Sequence, residues 1–137
     1  AGGSGAGPDH DGTSAVQTHM TNSRLTDPEV LEMRLPVRLE RFAIRRGSGG
    51  EGRHTGGDGV IRDLRFLEPM RANMLANRRR IAPRGLGGGG DALPGRNWVE
   101  RVDGSIEDLS ATDAAEMQPG DRFVIETPGG GGFGAAG

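Results

Sequence analysis

The sequence predicts a mainly β (α+β) protein, a loop-rich β-sandwich or barrel with one or two short helices. Three observations lead there. Short segments in which apolar and polar residues alternate recur along the chain, at the two-residue period of a half-buried strand. They are separated by turns and loops rich in glycine and proline, which number 26 and 8 among 137 residues. Only one stretch carries a strong helix-start signal. Four Phe and one Trp are few large anchors for a core, so part of the apolar surface is expected to meet neighbours in a larger subunit.

In chain order, residues 1–15 read as irregular, and Val16–Asn22 alternates enough for a short strand. Thr26-Asp27-Pro28-Glu29 then reads as a helix start. Thr26 is placed to cap, Pro28 suits the first turn, and Glu29 completes a Thr-x-x-Glu capping box. Pro36 ends this helix, giving a span of about residues 27–34. Val37–Arg46 alternates, slips by one after Glu40, and resumes at Phe42 and Ile44, which predicts a strand with a bulge.

The glycine-rich stretch 47–59 joins it to a strand over Val60–Leu67, and the two are expected to pair antiparallel. By itself this stretch is compatible with a tight connection or with a surface shaped for a partner. Met70–Ile81 is compatible with a strand or a helical turn and is read as a strand, Pro83–Gly95 as a loop, and Asn97–Val102 as a strand closed by the Asp103-Gly104 turn. Glu107–Met117 is mixed, with one helical turn expected over Thr112–Glu116. Gln118–Asp121 turns the chain into Arg122–Thr127, the clearest strand, and the end from Thr127 to Gly134 is glycine loop again.

Composition excludes several chemistries. All 17 basic residues are Arg, so a Walker A lysine, a Schiff-base lysine and a Ser-Lys dyad have no place in this chain. There is no Cys, hence no disulfide, thiolate nucleophile or Cys-based zinc site, which fits a cytoplasmic protein. A net charge of −2 with balanced signs gives no field for nucleic acid or an anionic membrane. No apolar run reaches the ~18 residues of a membrane helix. The start, Ala1–Gly7, has neither the basic nor the apolar region of a signal peptide.

Single motifs are weak. G-x-G-x-x-G occurs from Gly47, from Gly85 and from Gly129, but none follows a strand and opens a helix as dinucleotide binding requires. Asp9-His10-Asp11 with His19 offers ligand-type side chains, so His10 and Asp11 are candidate metal ligands, with solvated loop polars as the plainer reading. Ser4 between glycines lacks the strand of a nucleophile elbow. Arg78-Arg79-Arg80 fits a charged strand end or subunit contact better than a phosphate site.

Three longer segments, taken in order, are more specific. Residues 18–29, Thr-His-Met-Thr-Asn-Ser-Arg-Leu-Thr-Asp-Pro-Glu, resemble the "THMTNTR…P.E" segment of the hydantoinase B/5-oxoprolinase family. Residues 48–62, Ser-Gly-Gly-Glu-Gly-Arg-His-Thr-Gly-Gly-Asp-Gly-Val-Ile-Arg, resemble its "SGGAGRYRGGDGVIR". Gly120-Asp121 and Thr127–Gly134 resemble its "GD…TPGGGGYG" ending. The resemblance covers nearly the whole chain and departs at His54 and Thr55, where many members carry an aromatic and a basic residue.

That resemblance implies a single segment, residues 1–137, at the C-terminal end of a B-type subunit. It implies a cytoplasmic, ATP-dependent hydrolase that opens cyclic amides such as 5-oxoproline or hydantoins. ATP and Mg would be bound by a companion hydantoinase A-type subunit; the other partners would be the remainder of the B subunit and the small cyclic amide. In such reactions the amide oxygen is phosphorylated and water then opens the ring. His19, Asn22, Arg24, Glu29 and Arg62 are the candidate catalytic residues under this resemblance. Two alternatives stay open: a structural segment that docks the ATPase subunit through its glycine loops, and part of a related ketone carboxylase.

Overall fold

The computed structural model describes residues 1–17 and 25–137. Helix α1 (Pro28–Arg34) is followed by seven strands: β1 (Val37–Arg45), β2 (Gly59–Phe66), β3 (Met70–Leu75), β4 (Arg96–Glu100), β5 (Ile106–Leu109), β6 (Thr112–Met117) and β7 (Arg122–Glu126). Five strands form one antiparallel sheet in the order β1-β2-β7-β4-β5, and β3 pairs with β6 as a separate ribbon. The sheet does not close into a barrel.

Core packing follows from the strand period. Val37, Leu64, Phe66, Val99 and Phe123 line one face of the five-stranded sheet, and Met70, Ala72, Met74, Ala115 and Met117 come from the ribbon laid over it. Leu31 brings α1 onto the same core. Val99 and Met117 are fully buried. The expected bulge falls between Leu39 and Arg41, where the register against β2 shifts. It keeps Phe42 and Ile44, opposite Arg62 and Val60, on the same side as Leu39 opposite Leu64.

Four expectations are corrected. The helix cap is Asp27, whose carboxylate accepts the Glu29 amide, and not Thr26; Pro28 stands in the first turn as read. Thr112–Glu116 is strand, not helical turn. Its good helix formers, Ala114, Ala115 and Glu116, lie in a period-two pattern that buries Ala115 and Met117, and this packing overrides their propensity. Ile106–Leu109, of which Glu107–Leu109 reads by sequence only as part of a mixed stretch, is an edge strand on β4. The strand expected over Met70–Ile81 stops at Leu75, where pairing with β6 runs out at Thr112. Of the strand expected at Val16–Asn22, Val16 bridges Gly2; residues from 18 onward lie outside the described set.

The glycine segments are not peripheral. Gly129 through Gly132 are buried, and the chain from Pro128 to Phe133 bonds to three neighbours in turn. Pro128 and Gly131 accept from Gly3 and Ala6; Gly129 and Gly132 donate to Leu93 and Gly90; Gly130 and Phe133 donate to Gly57 and His54. Each neighbour is met every third residue, the period of a polyproline-II-type helix, which makes no hydrogen bonds within itself. A rod of backbone thus runs through the middle of a bundle of backbones. A Cβ on Gly130 would lie 1.9 Å from the Ser4 carbonyl oxygen, and one on Gly131 1.9 Å from that of Arg84. No side chain fits there.

Side chains close the bundle at its edges. Ser48 Oγ donates to the Arg45 carbonyl (2.7 Å) and accepts from the Gly59 amide (2.8 Å), tying the two ends of the β1–β2 connection together. Asp58 accepts from Gly49, and Arg45 reaches Pro94, Thr127 and Glu126. The stretch 47–59 is therefore a packed connection, with Ser48, Gly50 and Gly57 buried. Among the described residues no helix is long and apolar enough to cross a membrane.

The turn before β7 is organised by Asp121, which is 2% exposed and accepts from the Gln118 and Val102 amides and from Arg101. Burial alone would raise its pKa, but the Gln118 amide, the Arg101 guanidinium and the Val102 amide outweigh that and hold the carboxyl below its ordinary value.

Two stability predictions follow from this architecture. Gly130→Ala should cost more than ~4 kcal/mol, since the Ser4–Gly5 backbone packed against it must move. Gly47→Ala, at φ 80° with nothing within 4 Å, should cost only about 1–2 kcal/mol of backbone strain; denaturant titration of both variants checks the contrast. Asp121→Asn should cost about 2–4 kcal/mol by leaving Arg101 and two amides poorly matched. Because the folded pKa of Asp121 is depressed, its stabilisation is present above the unfolded value and lost as pH falls through the folded one. Thermal melts across the acid range should therefore show a shallower loss of stability in the variant.

Candidate functional site

Where the core face of the sheet meets the glycine bundle, a cleft of about 590 Å³ opens between the sheet and the ribbon. Its walls include Phe42, Val60, Arg62 and Ile125 from the sheet and Met74 and Leu75 from the ribbon. The register explains the placement. Phe42, Arg62, Ile125 and Asn97 lie opposite one another in a row across β1, β2, β7 and β4, one step along from the core row Leu39, Leu64, Phe123 and Val99. Arg62 thus occupies a position that the strand period assigns to the interior.

A second arginine enters from the chain beyond β3. Arg78 adopts φ 55°, outside the region most side chains prefer, and this bend turns Arg79 inward while Arg78 and Arg80 stay exposed. Arg79 Nε donates to Asn97 Oδ1 (3.1 Å) and its Nη1 to the Asn77 carbonyl (2.7 Å). Asn97 is 1% exposed, and its amide is oriented by a bond from Nδ2 to the Ser110 carbonyl (3.4 Å). Gly95 makes the space: a Cβ there would lie 2.5 Å from Arg79 Nη1.

Burial pushes both the Arg62 and the Arg79 guanidiniums below their ordinary pKa, Arg79 further through the neighbouring Arg45 charge. Among the described residues neither has a carboxylate partner, and Arg62 makes no hydrogen bond. The chemistry on offer is two partly desolvated cations over an apolar floor, Arg79 held by hydrogen bonds, suited to an anionic group on a small molecule.

The other candidates from the sequence distribute as follows. His19, Asn22 and Arg24 lie outside the described residues; Gln17 and Leu25, on either side of that stretch, both line the cleft. Glu29 is exposed in the first turn of α1 and does not line it. Asp11 accepts from the Thr55 amide (2.9 Å) and lies 3.5 Å from His54 Nδ1, while His10 is exposed at a turn with Gly7. No group of three or more metal-ligating side chains occurs among the described residues, and His10 and Asp11 are not brought into one. Arg79 and Asn97 were not legible as site residues: the run of three arginines does not say which one turns in, and Asn97 reads as the polar start of a strand.

Fold and site together define an open antiparallel β segment, bound by a glycine bundle and carrying an arginine-lined cleft. The hydantoinase B/oxoprolinase family model matches residues 1–136, and the chain belongs to that family. It is similar to 5-oxoprolinase 1 of Arabidopsis thaliana (48% identity over 134 residues) and to 5-oxoprolinase of Dictyostelium discoideum (46% over 134 residues). In both, 98% of this chain aligns with 11% of the relative, so the chain spans about a tenth of their length.

Among solved structures, nucleotide-free acetone carboxylase superposes with a TM-score of 0.80 at 20% identity, over 98% of this chain and 22% of that one, a likeness of fold. The ATP-dependent caprolactamase of Pseudomonas jessenii gives 0.74 at 25% identity, over 98% of this chain and 24% of that one. The caprolactamase subunit beta from the same organism is 32% identical over 116 residues, 79% of this chain and 19% of the subunit.

Proposed function

We propose that this chain is the C-terminal segment of a hydantoinase B-type subunit and part of an ATP-dependent cyclic amidohydrolase that opens 5-oxoproline or hydantoin rings. The observation that carries the reading is identity of 46–48% to two 5-oxoprolinases across 98% of the chain. The relative named as a subunit beta supports a companion subunit, and the lack of any Lys here agrees with an ATP site on that companion, a cytoplasmic hydantoinase A-type ATPase that holds ATP and Mg. ATP phosphorylates the amide oxygen and so activates the amide carbon: water adds there, the C–N bond breaks with the nitrogen leaving as the amine, and the phosphoryl group departs as inorganic phosphate to leave a carboxylate.

In this reading the cleft receives the ring, with Arg62 in its wall. His19, Asn22 and Arg24 are proposed as catalytic residues on the likeness of residues 18–29 to the corresponding segment of the family. Glu29 and the His10–Asp11 pair, outside the cleft lining, take no step here. The docking alternative rests on glycine loops presented to a partner; Ser48, Gly50, Gly57 and Gly129–Gly132 of those loops are buried, Glu51, Thr55, Gly87 and Gly88 stay exposed, and Met33 (87%) offers a further apolar contact for other parts of the assembly.

The test uses the full-length enzyme with its companion subunit. ADP release should depend on 5-oxoproline and match glutamate formed; ADP release that ignores 5-oxoproline overturns the oxoprolinase reading, and dependence on bicarbonate in its place would make the enzyme a carboxylase. In that same enzyme His19→Ala should lower ring opening more than about tenfold with cooperative unfolding retained. Wild-type turnover by the variant removes His19 from the site.

A further inference from the structure

We propose that the cleft is a carboxylate-binding subsite, in which Arg62 and the Asn97-anchored Arg79 hold a carboxylate that the ring substrate carries apart from the amide it loses. The proposal rests on the ring-opening reading above and specifies its substrate class: cyclic amides bearing an acid group, such as 5-oxoproline, and not neutral lactams.

The argument is one of unbalanced charge in a prepared place. Seven arginines elsewhere on the molecule have carboxylate partners within 4.0 Å. Arg62 and Arg79, though half-buried, have none among the described residues, and burying a cation without a counter-charge costs stability unless an anion arrives. The geometry is also suitable. Arg62 on β2 and Asn97 on β4 flank Ile125 of β7, so their backbones stand about 10 Å apart, two strand spacings. That gap, floored by an apolar side chain, accepts a small ring with one anionic edge.

Arg79 is fixed before any ligand arrives. Its Nε and Nη1 are held by Asn97 and Asn77, which leaves Nη2 without a partner among the described residues. Fixing the fork in advance lowers the entropy lost on binding a carboxylate. The strained turn at Arg78 and the absent side chain at Gly95 are what this placement requires. A phosphoryl group on the activated amide offers similar oxyanion chemistry, and the two sources separate by substrate: the phosphoryl forms on every lactam, the carboxylate belongs only to acidic ones.

The experiment compares 5-oxoproline with 2-pyrrolidinone, the same ring without the carboxylate, in the full-length enzyme with its companion. Arg62→Gln and Arg79→Gln should each reduce the preference for 5-oxoproline, measured as the ratio of kcat/KM values, more than about tenfold, chiefly through KM, and Arg→Lys should restore part of it. Equal loss on both rings, or an unchanged ratio in variants with wild-type melting, overturns the carboxylate subsite. Calorimetric binding of 5-oxoproline separates the two readings. Binding that both Gln variants abolish, without 5-oxoproline-dependent ADP release, sinks the ring-opening function and keeps the subsite. ADP release that depends on 5-oxoproline but ignores both variants sinks the subsite alone.

Discussion

The close passage of backbones around Gly129–Gly132 is the constraint on which the rest of the structure depends. β7 runs straight into this rod, and both long connections of the sheet wrap it: the β1–β2 connection through Gly50 and Gly57, and the β3–β4 connection through Leu86 and Gly90. The N-terminal segment joins through Gly3 and Ala6. Fixing the rod therefore fixes where β1, β2, β4 and β7 end. Those ends, Arg62 and Ile125 among them, form one wall of the cleft. Because the bundle satisfies its polar groups largely through backbone, with Ser48, Asp58 and Arg45 at its edges, it needs neither large apolar residues nor disulfides, in keeping with how few aromatics the chain contains.

Much of the sheet was legible because burial on one face leaves a period of two. Val37–Arg45 with its slip after Glu40, Val60–Phe66 and Arg122–Glu126 all carry that mark, and the structure follows it. β5 and β6 were not legible for opposite reasons. Ile106–Leu109 is an exposed edge with almost no apolar face to show, and Thr112–Met117 hides its buried positions among residues that favour helix. The rod was invisible for a third reason: a three-residue period made of identical glycines has no contrast to read. Glycine signals permitted conformations, and here the requirement was permitted proximity. Of the site, Arg62 was reached through a family-like segment and not through chemistry, since an arginine in a strand reads first as solvated.

The two faces of the large sheet treat arginine in opposite ways. On the outer face Arg122 is shared between Asp63 and Glu100, and Arg65 is bonded to Glu40. Asp63 is only 7% exposed with Oδ1 unbonded among the described residues, and burial, offset in part by Arg122, raises its pKa. Its preference for the protonated form opposes that of Asp121, so the two carboxylates bend the pH dependence of stability in contrary directions. On the inner face the same side chain is left without a carboxylate. A guanidinium keeps its charge under such desolvation where an ammonium would give up its proton, so an all-arginine chain can hold bare cations beside an apolar floor.

The glycine bundle has a calorimetric consequence. Burying peptide groups against peptide groups removes polar surface from water, and polar surface contributes to the heat capacity of unfolding with the sign opposite to apolar surface, about −0.26 against +0.45 cal/K/mol/Å². A structure that spends so much of its interior on backbone should unfold with a heat-capacity increment below that of an ordinary domain of its size. Its stability curve should be correspondingly flat: stability should change slowly on cooling, the usual weakening of hydrophobic cohesion in the cold acting on the part of the molecule where Val99, Phe123 and Met117 pack.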